Sequence, residues 1–251
     1  MAHHLLLAAA TILLTLFFLS PPTAADSVVL DIDGNPVEAG SQYYVLTRGT
    51  RGAGRGGLTA APLGGLCPLY VGQHRSWTQQ GSPVTFFPAN PSQKYITQSS
   101  DVNIAFGLNP ICRNLGVWQL GYSFSGVPYV TTNGVIGNPG AETFTNWFKI
   151  EHAFGPESYK IVYCFLVPAP WYSRMSPYEY CEQLDATIPG PSDLAMLSLV
   201  PIDKPLPFFG FVFKKVTSTP PPSPIAPPPT TPPSPTAPVP APTATIGYSS
   251  Y

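Results

Sequence analysis

Proline and glycine interrupt this chain so often that no long helix can be written through it. The sequence holds 33 prolines and 22 glycines in 251 residues. Proline removes a backbone donor and clashes with the preceding turn, and glycine costs a helix interior about 1 kcal/mol relative to alanine. The stretches between these breaks are short, β-branched or aromatic, and partly alternating. Gln42 to Leu46, Val102 to Phe106, Trp147 to Ile150, Tyr159 to Tyr163 and Phe208 to Val216 read as strands. Turn residues separate them, as in Asp33-Gly34-Asn35-Pro36, Gly54 to Gly57, Gly137-Asn138-Pro139-Gly140 and Phe154-Gly155-Pro156-Glu157. The fold class is therefore all-β, a barrel or a sandwich, and periodicity does not choose between them.

The prolines are not spread evenly, and three zones follow. Residues 1–25 carry no Lys, Arg, Asp or Glu, and Leu5 to Leu19 form an unbroken apolar run. That run is short for a membrane span, which needs about 20 residues, but it suits a signal-peptide core. Thr23, Ala24 and Ala25 supply small residues for cleavage before Asp26, although His3 and His4 stand where Lys or Arg is usual. Residues 217–251 hold 13 of the prolines and no charge. Such a segment is expected to be a disordered, extended polyproline II chain of roughly 3.1 Å per residue, outside any core. Residues 26–216 carry every charge and are long enough for one domain with a substantial core.

Net charge is −1, so no electrostatic field favours nucleic acid or an acidic membrane surface. Four cysteines, Cys67, Cys112, Cys164 and Cys181, form an even set in a secretory context and are read as two disulfides. Three pairings are open, of which the sequential one closes the smallest total loop. No pair has the Cys-x-x-Cys spacing of a zinc site, so neither a metal nor another cofactor is expected. Beyond the leader the only histidines are His74 and His152, and neither lies in a nucleophile-elbow, zincin or glycosidase-like setting. No catalytic residue is nominated, and an enzyme is not expected. The glycines from Gly52 to Gly57 lack phosphate-loop spacing, and Arg48, Arg51 and Arg55 beside them are read as solubilising charge.

One set of motifs is more specific. Val29-Leu30-Asp31-Ile32-Asp33-Gly34-Asn35-Pro36-Val37, followed by Tyr43-Tyr44-Val45, resembles the N-terminal signature of the plant Kunitz inhibitors, the soybean trypsin inhibitor family. The resemblance continues through Gly56-Gly57-Leu58, Ala61-Pro62 and Cys67-Pro68-Leu69-Tyr70-Val71-Gly72-Gln73. It then runs through Ser100 to Phe106, Trp118, Phe148 to Glu151, Tyr159 to Cys164 and Phe213-Lys214-Lys215, so that it spans about 28–216. Gly-Gly-Leu-Thr and Ser-Asp-Val are most similar to the cereal amylase/subtilisin inhibitors. The resemblance implies a β-trefoil of twelve strands in three pseudo-equivalent units, and the sequential pairing Cys67–Cys112 and Cys164–Cys181. One departure is plain. Relatives close a short loop with the second disulfide, whereas here Phe165 to Tyr180 intervene, with Trp171, Tyr172, Tyr178 and Tyr180.

The family implies inhibition of a serine endopeptidase by an exposed loop inserted like a substrate and held rigid by the barrel. The strand Gly81 to Phe87 would lead into that loop, which is Pro88, Ala89, Asn90, Pro91, Ser92, Gln93 and Lys94. Counting back from Phe106 places P1, the residue that fills the specificity pocket, at Ser92 and P1′ at Gln93. A trypsin pocket holds a carboxylate and wants Arg or Lys, so a subtilisin-like or other non-tryptic target is expected; a register shift would offer Lys94 instead. The Asn90 amide is the candidate brace of the loop backbone.

Two further expectations stand beside this one. A non-inhibitory trefoil, or one that binds amylase or a cell-wall polysaccharide, is the alternative, with the Trp171-Tyr172 to Tyr178 aromatics either stacking on sugar or packing on neighbouring strands. Secretion as a monomer to the apoplast or cell wall follows from the leader and from the Ser-Pro, Thr-Pro and Ala-Pro repeats of the tail, which resemble plant cell-wall glycoprotein segments. Asn90-Pro91-Ser92 is barred from N-glycosylation by its proline.

Overall fold

The computed structural model describes residues 27–48, 55–122, 126–155, 157–170, 176–191, 193–205 and 210–217. The expected leader, the tail beyond Thr217, the tip of the glycine loop with Arg51, Phe208 at the start of the last predicted strand, and Trp171-Tyr172 lie outside those residues.

Twelve strands carry the fold: β1 Gln42–Thr47, β2 Leu58–Ala61, β3 Tyr70–His74, β4 Val84–Pro88, β5 Val102–Ala105 and β6 Val117–Tyr122 come first. They are followed by β7 Pro128–Gly134, β8 Lys149–His152, β9 Tyr159–Val167, β10 Tyr178–Pro189, β11 Leu194–Pro201 and β12 Phe211–Lys215. Among the described residues the helical content is one 3-10 turn, Phe144–Asn146. Every ladder is antiparallel. Neighbours run β10-β11-β3-β7-β6-β5-β4-β1-β12-β9, and β9 pairs back onto β10, so the path closes on itself. Closure removes the free edges of those ten strands, on which sheets aggregate, while β2 pairs only with β3 and β8 only with β9 among the described residues.

The alternation in the sequence explains which faces turn inward. In β1 Tyr43 and Val45 are buried, and in β4 Val84 and Phe86 are. Phe86 meets Phe213 edge-on at 5.2 Å, Tyr159 stacks on Phe213 at 5.5 Å, and Trp118 meets Phe148 edge-on at 6.1 Å. Each such pair adds roughly 0.5–1.5 kcal/mol to plain burial. Two of the three core tyrosines, Tyr43 and Tyr159, take backbone hydrogen bonds on their hydroxyls. Tyr43 accepts from the Glu38 N–H at 2.9 Å, and Tyr159 from the Leu30 N–H at 2.8 Å.

Those two bonds fasten the N-terminal signature to the barrel, and Asp31 shapes it. Its nearly inaccessible carboxylate accepts from the N–H groups of Asp33 at 3.0 Å and Asn35 at 2.9 Å. Gly34 completes the turn at φ 79°, where a side chain would be strained. The motif read as a family signature is thus an aspartate-wrapped turn. Gly81 has a comparable role ahead of β4, at φ 75°, where a Cβ would run into the Leu58 carbonyl.

The cysteines pair sequentially, Cys67–Cys112 and Cys164–Cys181, as the resemblance implies. The insertion between the second pair becomes a hairpin rather than a loose loop. Beyond Cys164↔Cys181 the ladder continues through Phe165↔Tyr180, Leu166↔Glu179 and Val167↔Tyr178. Three predicted strands are trimmed: β5 stops before Phe106, β12 spans Phe211–Lys215, and β8 starts late. Trp147 and Phe148 precede β8, with Phe148 bridging Val102. β11 had no separate strand signal because all residues from Leu194 to Val200 are buried, so apolar and polar positions never alternate.

Candidate functional site: the loop between β4 and β5

β4 delivers the candidate loop and β5 receives the chain after a return along the N-terminal segment. Pro88, the last residue of β4, lies opposite Val102. The Ala89 N–H donates to the Asp101 carbonyl at 2.9 Å, which carries the ladder one step further. The chain then turns over Asn90, Pro91 and Ser92, all exposed. The Gln93 N–H closes the turn on the Asn90 carbonyl at 3.0 Å.

Asn90 does what its amide suggested. Its Oδ1 accepts from the Ser92 N–H at 3.2 Å and from the Ser92 hydroxyl at 2.6 Å. This Asx turn braces the tip from within. Gln93 donates from Nε2 to Thr97 Oγ1 at 2.9 Å, and Thr97 donates to Ser100 Oγ at 3.0 Å, so the outgoing limb is tied to its own continuation. The Lys94 carbonyl accepts from the Ala39 N–H at 2.9 Å. Its ammonium lies 5.0 Å from the centre of the Tyr95 ring, and hydrogen bonding to Tyr95 raises its pKa. Ile96, fully buried, donates its N–H to the Val37 carbonyl at 2.8 Å and anchors the far end. All seven predicted residues thus belong to one continuous excursion, with Ser92 at its exposed tip and Lys94 turned onto Tyr95.

The loop is not alone on this face. An open groove of about 420 Å3 runs beside it, lined by Ala39, Phe87, Pro88, Pro91 and Ile136 among others. Two buried asparagines hold its far wall. Asn103 on β5 donates to the Asn146 carbonyl at 2.8 Å and accepts from the Gly137 N–H at 3.4 Å, while Asn146 donates to the Val135 carbonyl at 3.2 Å. The sequence reading missed this wall. Its one signal was an asparagine inside a strand, a position that normally disfavours it.

Other expectations place elsewhere. His74 and His152 end β3 and β8, remote in sequence from any nucleophile motif. Arg55 is not free solubilising charge, because its guanidinium donates to the Ala186 carbonyl. Cys164, Glu179 and Cys181 group closely enough to suggest metal ligation, but both sulfurs are spent in the disulfide.

With this geometry in view, the comparisons decide the family. The legume Kunitz family model, described as trypsin and protease inhibitor, matches residues 29–192. The chain belongs to that family. Relatives include miraculin of Synsepalum dulcificum, 42% identical over 154 residues that cover 58% of this chain and 69% of miraculin. The endogenous alpha-amylase/subtilisin inhibitor of Triticum aestivum is 38% identical over 142 residues, covering 54% of this chain and 77% of that protein. Among solved structures, the rice bifunctional alpha-amylase/subtilisin inhibitor superposes with a TM-score of 0.55 at 32% identity, covering 76% of this chain and 100% of that one. The closed circuit of strands is therefore the Kunitz β-trefoil. The protease inhibitors of this family are not enzymes.

Proposed function

We propose that this Kunitz protein is secreted and inhibits a serine endopeptidase of subtilisin-like or other non-tryptic specificity through Pro88 to Lys94. The observation that carries the reading is the contrast between Ser92 and Lys94. An uncharged, exposed Ser92 stands at the tip, while Lys94, the cation of the loop itself, is engaged with Tyr95. A pocket built for Arg or Lys gains nothing from Ser92, whereas a shallow pocket accepts it. The internal brace of Asn90 and the anchor of Ile96 supply the mechanism. Binding a preorganised loop avoids about 0.5–1.5 kcal/mol of ordering entropy per immobilised side chain, and the same ties keep the two ends together after cleavage.

An inhibition panel with trypsin, chymotrypsin and subtilisin tests this, run on the parent and on a variant with Pro88 to Lys94 replaced by Gly and Ser. Inhibition of subtilisin that vanishes in the variant supports it. Micromolar inhibition of trypsin with none of subtilisin overturns it. α-Amylase belongs in the same panel because the wheat and rice relatives are named as inhibitors of both enzymes. Amylase inhibition that survives the loop replacement would favour a second, separate surface.

A further inference from the structure

At the root of the loop lies a second, smaller cleft of about 180 Å3. Asp101, Phe144, Trp147, Lys149 and Glu179 line it. It touches the loop through Asp101, whose carbonyl takes the Ala89 N–H at 2.9 Å. The charges in it do not balance. The Lys149 ammonium is bound to the Glu179 carboxylate at 2.7 Å, so that pair cancels. The Asp101 carboxylate has no hydrogen-bond or ion-pair partner among the described residues, which leaves one unmatched negative charge. Burial pushes its pKa above the ordinary range, with Lys149 opposing and Glu179 adding to the shift.

The walls are aromatic and firmly held. Phe144 is 60% exposed on the 3-10 turn Phe144–Asn146. Trp147 donates from Nε1 to Thr143 Oγ1 at 3.2 Å, and the intervening Asn146 is tied to Asn103 and Val135. An unmatched, partly desolvated carboxylate in a cleft that is also lined by two aromatic side chains is the chemistry that selects a cation with a flat or slender head. A neutral sugar could stack on Phe144 and donate hydroxyls to the carboxylate, but would leave its charge unneutralised.

We propose that this cleft binds an organic cation, a guanidinium or primary ammonium head, with Asp101 as counter-ion and Phe144 and Trp147 as cation–π walls. The head comes from a free small molecule or from a basic side chain of a protein seated on the neighbouring loop. The site does not depend on the inhibitory reading, so each can fail without the other.

The test titrates the full chain with methylguanidine at constant ionic strength, followed by tryptophan fluorescence and calorimetry, with glucose as the neutral control. Saturable binding in the millimolar range is expected, weakened about tenfold by Asp101→Asn and about threefold by Phe144→Leu. Neither substitution removes a partnered or fully buried group, and a melting temperature that does not fall checks the fold. The source is distinguished with whichever protease the panel finds inhibited. If methylguanidine competes with that protease and Asp101→Asn raises its inhibition constant, the head is a side chain of the partner; if neither happens while methylguanidine still binds, the ligand is a free small cation. Failure of methylguanidine to saturate, equal binding to Asp101→Asn, or saturation by glucose instead overturns the proposal.

Discussion

Two excursions leave the barrel, and they are held in opposite ways. The 89–101 segment is tied by main-chain bonds to Asp101, Ala39 and Val37, with an Asx turn at its tip and one buried isoleucine at its far end. The β9–β10 extension is a regular ladder locked by a disulfide, with half-exposed Phe165, Tyr178 and Tyr180 on one face. The first keeps an irregular shape with almost no apolar cover, which is what a loop that must enter a protease cleft requires. The second spends regular hydrogen bonding on presenting aromatic surface. Shape is conserved by anchoring in one case and by repetition in the other, so they should fail differently.

The largest break is expected at the anchor. Ile96→Ala removes the only fully buried side chain of the excursion's return limb and should cost about 2–5 kcal/mol. Denaturant unfolding measures this, and inhibition should weaken beyond what the lost stability explains. Next comes the disulfide of the hairpin. Replacing Cys164 and Cys181 by Ser frees a 17-residue separation and should cost about 3 kcal/mol by loop-closure entropy. Because the ladder frays locally, inhibition through Ser92 should survive at temperatures where the variant is still folded. Loss of both together would show that the two excursions are coupled rather than independent.

A smaller effect isolates the tip. Asn90→Ala deletes the acceptor for the Ser92 N–H and hydroxyl, with an expected cost of about 1 kcal/mol. The melting temperature should barely move because the tip is exposed. The inhibition constant should rise several-fold, and the loop should be cut faster on prolonged incubation with protease. A large drop in melting temperature with unchanged inhibition would assign Asn90 to the fold instead.

How much of this was legible follows the same division. β1 and β4 were readable because each buries alternate residues against one core, and β5 and β9, buried at consecutive positions, through their β-branched and aromatic residues. β11 was not, because burial on both faces erases alternation. The loop was located through the family resemblance, from the strand Gly81 to Phe87, and the Asn90 brace follows from an amide two residues before a serine N–H. The groove wall and the cation cleft were not legible. Asn103 finds Gly137 and Asn146, and Asp101 finds Lys149 and Glu179, only after strands distant in sequence are brought together. The hairpin nature of the Phe165 to Tyr180 insertion was hidden for a related reason. Its aromatics fit either packing or display until the register placed Phe165 opposite Tyr180.

The subtlest comparison sets the two ends of the loop against each other through pH. Glu38, opposite Tyr95 at the returning limb, has its pKa lowered, first by the hydrogen bond from Lys215 and then by that from Ser41. Its unfolded form therefore binds the proton more readily than its folded form. It contributes stability above the ordinary carboxylate pKa, and that contribution is lost as pH falls through the lowered value. Asp101, at the root, has its pKa raised, first by burial. Its contribution has the opposite sign, being present below the ordinary pKa and lost as pH rises through the raised one. Melting curves between about pH 3 and 7 should therefore change in opposite directions for the two amides. Glu38→Gln should flatten the fall toward acid, by an amount that high salt also abolishes because the ion pair is exposed. Asp101→Asn should raise the melting temperature slightly near neutrality and leave the acid limb unchanged. Equal and parallel shifts would mean that both carboxyls respond to the overall charge of the chain and not to their separate positions at the two ends of the loop.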